Sequence, residues 1–244
     1  VGPIEALRLV PPEILRFLVA NSKPSKAIEF DTGMGLVNLA DEYERLCARD
    51  LAGEMEAENL SRRKRVQLED AMVALDLSVV HEDQDSVATS VSFRHLSLLA
   101  QVKPEDEAVW DSLRSTGSID QPTEALKDRL IRMRSWIASE HFPDEMRITL
   151  LEAPSAAALN ELTVDQRKVL VALETNLRSA AWTAEGITEA FKSTAAQAAV
   201  SMRDVYRASY ALFMGTERGP RLAPILANCD REAMVELVRR SQVV

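Results

Sequence analysis

Leu36-Val37-Asn38-Leu39-Ala40-Asp41-Glu42-Tyr43-Glu44-Arg45-Leu46-Cys47 carries the clearest helical period in the chain. Leu36, Leu39, Ala40, Tyr43, Leu46 and Cys47 recur at spacings of three and four, so they share one face of an α-helix. Asp41, Glu42, Glu44 and Arg45 are expected to face water. The same period returns at Leu126, Leu130, Met133 and Ile137, at Gln166, Val169, Leu170, Leu173 and Leu177, and at Ile187, Ala190, Phe191, Thr194 and Ala198. Helix-start chemistry agrees with these stripes. Thr163 and Gln166 have capping-box spacing, Ser201 and Asp204 stand likewise before 205–214, and Asp230 is a candidate cap for a last helix. Pro12 and Pro122 suit first-turn positions, where a missing amide hydrogen costs little. Strand signals at 27–30, 78–80 and 87–91 are short and weak, and scarce glycine disfavours tight hairpins. The chain is read as all-α.

Composition bounds the function. Hydrophobic residues make up 46% of the 244 residues, enough for a sizeable core, and 27% are charged, as in ordinary soluble proteins. No long uncharged apolar run and no signal peptide is present, so a cytoplasmic protein with no membrane partner is expected. Cys47 and Cys229 are too few and too far apart for a disulfide framework. The net charge of -9 lowers the expectation of a DNA partner and requires any nucleic-acid contact to use local basic patches. The chain opens Val1-Gly2-Pro3 rather than with Met, which gives the expectation of a processed or trimmed protein. Breakers at 21–26, 115–121 and 153–155 mark loops, the last a candidate boundary between helical subdomains.

Catalytic chemistry is hard to place. Asp31-Thr32-Gly33 matches the tripeptide of aspartic proteases, but that chemistry needs two such carboxylates on β-loops, and here one copy leads into a helix. It reads as a helix start. Gly33-Met34-Gly35 is too short for a phosphate loop. His81, His95 and His141 are isolated, and no metal-ligand spacing appears, so no metal is expected. Arg62-Arg63-Lys64-Arg65 is the densest basic run; it reads as a solvated face paired with Glu58, Glu69 and Asp70, or as a grip on RNA phosphates. Lys127, Arg129, Arg132 and Arg134 surround Trp136, which reads either as core or as a stacking platform for an unpaired base.

Gly215-Thr216-Glu217-Arg218-Gly219-Pro220-Arg221-Leu222 is the most informative segment for binding. Gly215 follows the apolar run 210–214 and reads as a helix C-cap; Gly219-Pro220 then forces a turn. The result is a rigid corner carrying Arg218 and Arg221. A structural corner with solvated arginines and an RNA contact both fit it. The RNA reading calls for a positive cleft joining Arg221 to another basic patch.

Four segments resemble the C-terminal half of class I lysyl-tRNA synthetases. They are Val10-Pro11-Pro12-Glu13-Ile14-Leu15-Arg16-Phe17-Leu18; Ile28-Glu29-Phe30-Asp31 through Gly33-Met34-Gly35-Leu36 to Asp41-Glu42-Tyr43-Glu44-Arg45; Phe93-Arg94-His95-Leu96-Ser97-Leu98-Leu99-Ala100-Gln101; and Arg218-Gly219-Pro220-Arg221-Leu222. Their order is similar to the family's. The fourth is shared with glutamyl-tRNA synthetases, whereas the second is more particular to the lysine enzymes. The resemblance implies a helical connecting region over 1–60, a first helical subdomain over 61–154, and a helix-cage anticodon-binding subdomain over 155–244. It implies tRNA(Lys) and a catalytic domain as partners, in a parent that attaches lysine to tRNA with ATP. The ATP-binding HIGH-type and KMSKS-type signatures are absent here, so this chain is expected to hold no catalytic residues and no cofactor of its own. Arg218, Gly219, Pro220, Arg221 and Leu222 are the first candidates for anticodon contact, followed by Arg207, Tyr210, Arg94 and Trp136. A helical protein-interaction module and a glutamyl enzyme's C-terminal domain are the rival readings.

Overall fold

The computed structural model describes residues 2–23, 25, 27, 28, 30–80 and 88–242. Two compact units, Val1–Pro143 and Asp144–Val244, divide the chain. Every regular element among the described residues is helical. Glu29, His81 and Val87, on which parts of the sequence reading fell, lie outside the described residues.

The first unit contains α1 (Pro3–Leu9), α2 (Pro12–Ala20), α3 (Met34–Cys47), α4 (Leu51–Met55), α5 (Arg62–Ser78), α6 (Phe93–Val102), α7 (Asp106–Ser115) and α8 (Glu124–Ile137). Pro3 and Pro12 open their helices from the first turn. At the start of α3, Asp31 Oδ1 accepts from the Gly33 amide at 2.8 Å and Oδ2 from the Gly35 amide at 2.7 Å. The protease-like tripeptide is therefore a helix start, its carboxylate spent on orphan amides. Pro122 stands outside its helix, because Thr123 takes the cap by accepting from the Leu126 amide.

Helix α2 packs against α3 and α5, α3 also meets α6, and α8 packs against α1 and α6. The stripe on α3 buries Leu36, Val37, Ala40, Tyr43 and Leu46, while Leu39 and Cys47 sit at its partly exposed margin. Tyr43 meets Phe17 edge-on at 5.5 Å. Trp136 is fully buried between Phe93 at 5.4 Å and Phe142 at 4.7 Å, and its indole N–H donates to the Thr32 carbonyl at 2.7 Å.

An ionic knot lies inside this apolar packing. Arg129 is 1% exposed; its Nε donates to Glu13 Oε1 at 2.7 Å and its Nη1 to Glu44 Oε1 at 3.4 Å. Glu44 Oε1 also accepts from the Phe93 amide at 2.7 Å. Glu44, expected from the period to face water, instead ties α3 to α6 and α8. Burial pushes its carboxyl up from 4.5 to about 7, against the lowering pull of the Arg129 charge and the Phe93 amide. The Arg129 charge, which Glu13 shares at closer range, offsets this burial only in part.

The second unit contains a 3-10 turn (Asp144–Met146), α9 (Ala156–Asn160), α10 (Val164–Ser179), α11 (Ala184–Ala198), α12 (Met202–Met214), α13 (Leu222–Ala227) and α14 (Arg231–Ser241). Helix α10 packs against α11, α12 and α14, and α13 is seated on α11 and α14. Leu173, Leu177, Ile187, Phe191, Val205, Leu212, Leu226 and Val238 form the shared core. The capping box on Thr163 and Gln166 is present, Ser201 accepts from the Asp204 amide, and Asp230 from the Ala233 amide. Gln166 is itself buried and donates to Asp204 Oδ1 at 3.0 Å, joining the starts of α10 and α12. The Leu151 amide donates to the Phe213 carbonyl at 2.8 Å, which fastens the segment before α9 to the end of α12.

Two outcomes follow for the first unit. The raised Glu44 pKa means that its contribution to stability is complete below about pH 4.5 and is lost as pH rises through about 7. A shift of that size corresponds to about 3 kcal/mol as a ceiling. Urea unfolding of the wild type and Glu44→Gln should therefore show a pH slope over this window that the variant lacks; parallel profiles would remove the buried-acid account. Gly35→Ala should lower the unfolding midpoint, although Ala normally gains about 1 kcal/mol over Gly in a helix. A Cβ on Gly35 would stand 2.5 Å from Asp31 Cβ, so the helix-start bond must break or shift.

Candidate nucleic-acid interface

The corner between α12 and α13 is built by three local devices. Gly215 ends α12 in the left-handed region, with φ +67, and its amide donates to the Ala211 carbonyl at 3.2 Å. A side chain there would be strained, which is why glycine follows the apolar run. The Tyr210 hydroxyl, from the last turns of α12, donates toward the carbonyls of Pro220 at 2.7 Å and Gly219 at 3.1 Å. The Thr216 hydroxyl donates to the Arg218 carbonyl at 2.9 Å. Gly219 has a separate reason to be glycine: a Cβ would meet Tyr210 Cε1 and Met214 Sδ at 3.3 Å. The irregular passage from α12 to α13 is thus tied to the tyrosine hydroxyl.

Leu222, at the first turn of α13, is 1% exposed and plugs the turn into the core. It anchors the corner and is not available to touch a ligand. Arg218 and Arg221 are exposed on either side of the turn, and neither forms an ion pair among the described residues. Arg207 is bound to Glu217 at 2.6 Å, which buttresses the first half of the turn. Burial, and then the nearby Tyr206, hold the Tyr210 phenol above its ordinary range, so it remains a donor at neutral pH.

Each arginine overlooks a hollow. Arg218, with Gly219, Pro220, Thr216 and Arg147, lines one of about 670 Å³ that also holds Asp144 and Glu145. Arg221, with Tyr206, Tyr210 and Thr188, lines one of about 630 Å³ that also holds Glu185 and Glu189. The rings of Tyr206 and Tyr210 are 6.4 Å apart and inclined by 31°. The surroundings are therefore mixed in sign rather than the positive cleft the RNA reading called for. Planar donors, carboxylate acceptors and an aromatic wall together suit a flat heterocycle with both carbonyl and N–H groups on its edge.

Among the sequence candidates, Arg207, Tyr210, Arg218, Gly219, Pro220, Arg221 and Leu222 meet at this corner. Arg94 and Trp136 belong to the first unit. Arg94 is clamped on Asp41 by bonds of 2.9 and 2.7 Å, and Trp136 is a core side chain with no exposed face for stacking. The basic residues around Trp136 are also spent internally: Arg134 donates to the Ala100 and Lys103 carbonyls, Arg132 pairs with Asp128, and Lys127 with Glu124. Tyr206, Thr188 and Arg147 were not singled out from sequence. Tyr206 precedes Tyr210 by four, so helical spacing could have found it; Arg147 lies in an irregular segment with no such signal. Among the described residues, no group of three His, Cys, Asp or Glu could hold a metal, and no helix is long and apolar enough to cross a membrane.

The family model described as an anticodon binding domain matches residues 98–240. A lysine–tRNA ligase from Thermococcus kodakarensis is 29% identical over 235 residues, covering 93% of this chain and 43% of the relative. Lysine–tRNA ligases from Thermoplasma volcanium and Pyrococcus horikoshii are 26% and 28% identical, covering 96% and 93% of this chain and 43% and 42% of their own lengths. The chain thus spans less than half the length of these curated relatives.

Replacing Tyr210 by Phe should leave the ring packed and remove the bond to the turn. A stability loss of about 1 kcal/mol is expected, with faster amide exchange over 216–221 than over α10. Unchanged exchange in that turn would mean that the hydroxyl does not hold it.

Proposed function

The chain belongs to the anticodon-binding domain family, and on that premise we propose that it is the tRNA-recognising part of a class I lysine–tRNA ligase, reading the anticodon of tRNA(Lys) at the corner 215–222. The observation that carries this reading is the pre-set turn with two guanidiniums that form no ion pair among the described residues, each beside a hollow, inside the matched region. The identity of the reported relatives as lysine–tRNA ligases supports the choice of amino acid. ATP-dependent attachment of lysine to tRNA would belong to a catalytic domain in the remainder of the protein, and the work would take place in the cytoplasm.

The chemistry of recognition follows from the residues. A lysine anticodon is rich in uridine. A uracil edge offers two carbonyl acceptors flanking one N–H donor, so it matches a site that holds both arginine and carboxylate. An unstacked base can lie against Tyr206 and Tyr210 while Arg221 donates to a carbonyl and Glu185 or Glu189 accepts from N3–H. A donor–acceptor match of this kind needs no strongly positive field, consistent with the mixed charge at the corner. Pre-ordering of the backbone by Gly215 and Tyr210 reduces the entropy lost on binding.

In a filter assay, Arg221→Ala should weaken binding of a lysine tRNA transcript by about tenfold, the equivalent of one charge-assisted hydrogen-bonding group. The same change should alter binding of a transcript with a substituted anticodon much less. Wild-type affinity in the variant would remove the corner as the reading site.

A further inference from the structure

The first turn of α5 carries Arg62, Arg63, Lys64 and Arg65 in succession, all exposed. This is the helix end where backbone amides already present positive potential, so cations there oppose folding. Several other helices of the chain carry an acid in the first turn, among them Glu13 in α2, Glu124 in α8, Asp165 in α10, Asp204 in α12 and Glu232 in α14. Nor is the run neutralised by its neighbours. Lys64 reaches Glu54 at 3.9 Å, but Glu54 is already held by Arg49 through bonds of 2.9 and 2.7 Å. Arg62, Arg63 and Arg65 form no ion pair among the described residues, and Glu58, Glu69 and Asp70, the partners expected from sequence, form none with them.

We propose that this turn is a phosphate-binding surface for RNA, a second contact face lying outside the matched region 98–240. The proposal rests on the tRNA reading above. Four consecutive residues on a helix are spaced about 100° apart, so their heads splay around the helix end instead of lining one face. That arrangement fits successive phosphates of a backbone passing the helix end. An acidic protein partner fits it less well, because a protein interface needs an apolar centre and these four residues supply none. A body of net charge -9 also repels RNA at long range, and the corner at Arg221 is mixed in sign, so attraction to the backbone must come from a local cationic cluster such as this one.

The test uses the 244-residue chain and fluorescence anisotropy with a lysine tRNA transcript over a series of salt concentrations. The triple variant Arg62→Gln, Arg63→Gln, Arg65→Gln should bind about tenfold more weakly at low salt, and the slope of log affinity against log salt should shrink by about two to three. The corresponding triple Arg→Lys variant should keep the wild-type slope. The thermal midpoint of the Gln variant should be equal or higher, since removing these cations relieves repulsion at the helix end. An unchanged affinity and slope in the Gln variant would overturn the α5 surface and leave the corner reading standing. Failure of the wild-type chain to bind the transcript at all would overturn both, and competition by polyglutamate as effective as by the transcript would overturn the assignment to RNA.

Discussion

Helices of this chain are short. The longest among the described residues, α5, has 17 residues, and several have fewer than ten. Isolated helices below about 12–15 residues are marginal in water, so each persists by burying one apolar face against its neighbours and by satisfying its end groups. In the second unit α10 supplies the common partner, with α11, α12 and α14 laid against it. That constraint has a consequence for binding. If faces must be buried, the connections between helices must run over the surface, and only a connection with its own internal bonds can hold a fixed shape there. The passage from α12 to α13 has such bonds, through Gly215, Thr216 and Tyr210.

Within the first unit the same demand for burial meets three ionisable groups. Arg129, Glu13 and Glu44 draw α2, α3 and α8 together, and the Phe93 amide adds α6. Such knots gain little over well-packed apolar side chains, because desolvation offsets the attraction. Their geometry is nonetheless demanding, since a helix that shifted by one turn would strand a buried charge. Arg94 on Asp41, at the surface beside this knot, fastens α6 to α3 as well. The arginines of the first unit's α6 and α8 thus serve the fold, whereas Arg62, Arg63 and Arg65 on α5 and Arg218 and Arg221 at the corner of the second unit are among those that form no ion pair with the described residues.

On the proposed reading, the mixture of arginine and carboxylate around the corner would bear on how a base is selected there. A uniformly positive pocket attracts any nucleotide through its phosphate. A pocket with donors on one side and acceptors on the other rewards a particular base edge, and leaves its own groups unpaired when the edge is wrong. Affinity from charge and selectivity from hydrogen bonds can then reside on different parts of one chain.

The α-helical class, the capping box at Thr163, the caps at Ser201 and Asp230, and the Gly215 turn were legible in the sequence because each follows from residues within a few positions of one another. Local spacing fixes local backbone, and resemblance across four segments pointed to the family. Long-range pairing was not legible. Nothing near Glu44 in the chain says that Arg129 will lie against it, since the two are 85 residues apart. Trp136 and Leu222 share composition with surface recognition residues, and only the packing of other helices over them made them core. Periodicity identifies a face but not what will cover it. Which arginines end up bonded and which stay available is decided by the partners that tertiary folding brings within about 3 Å.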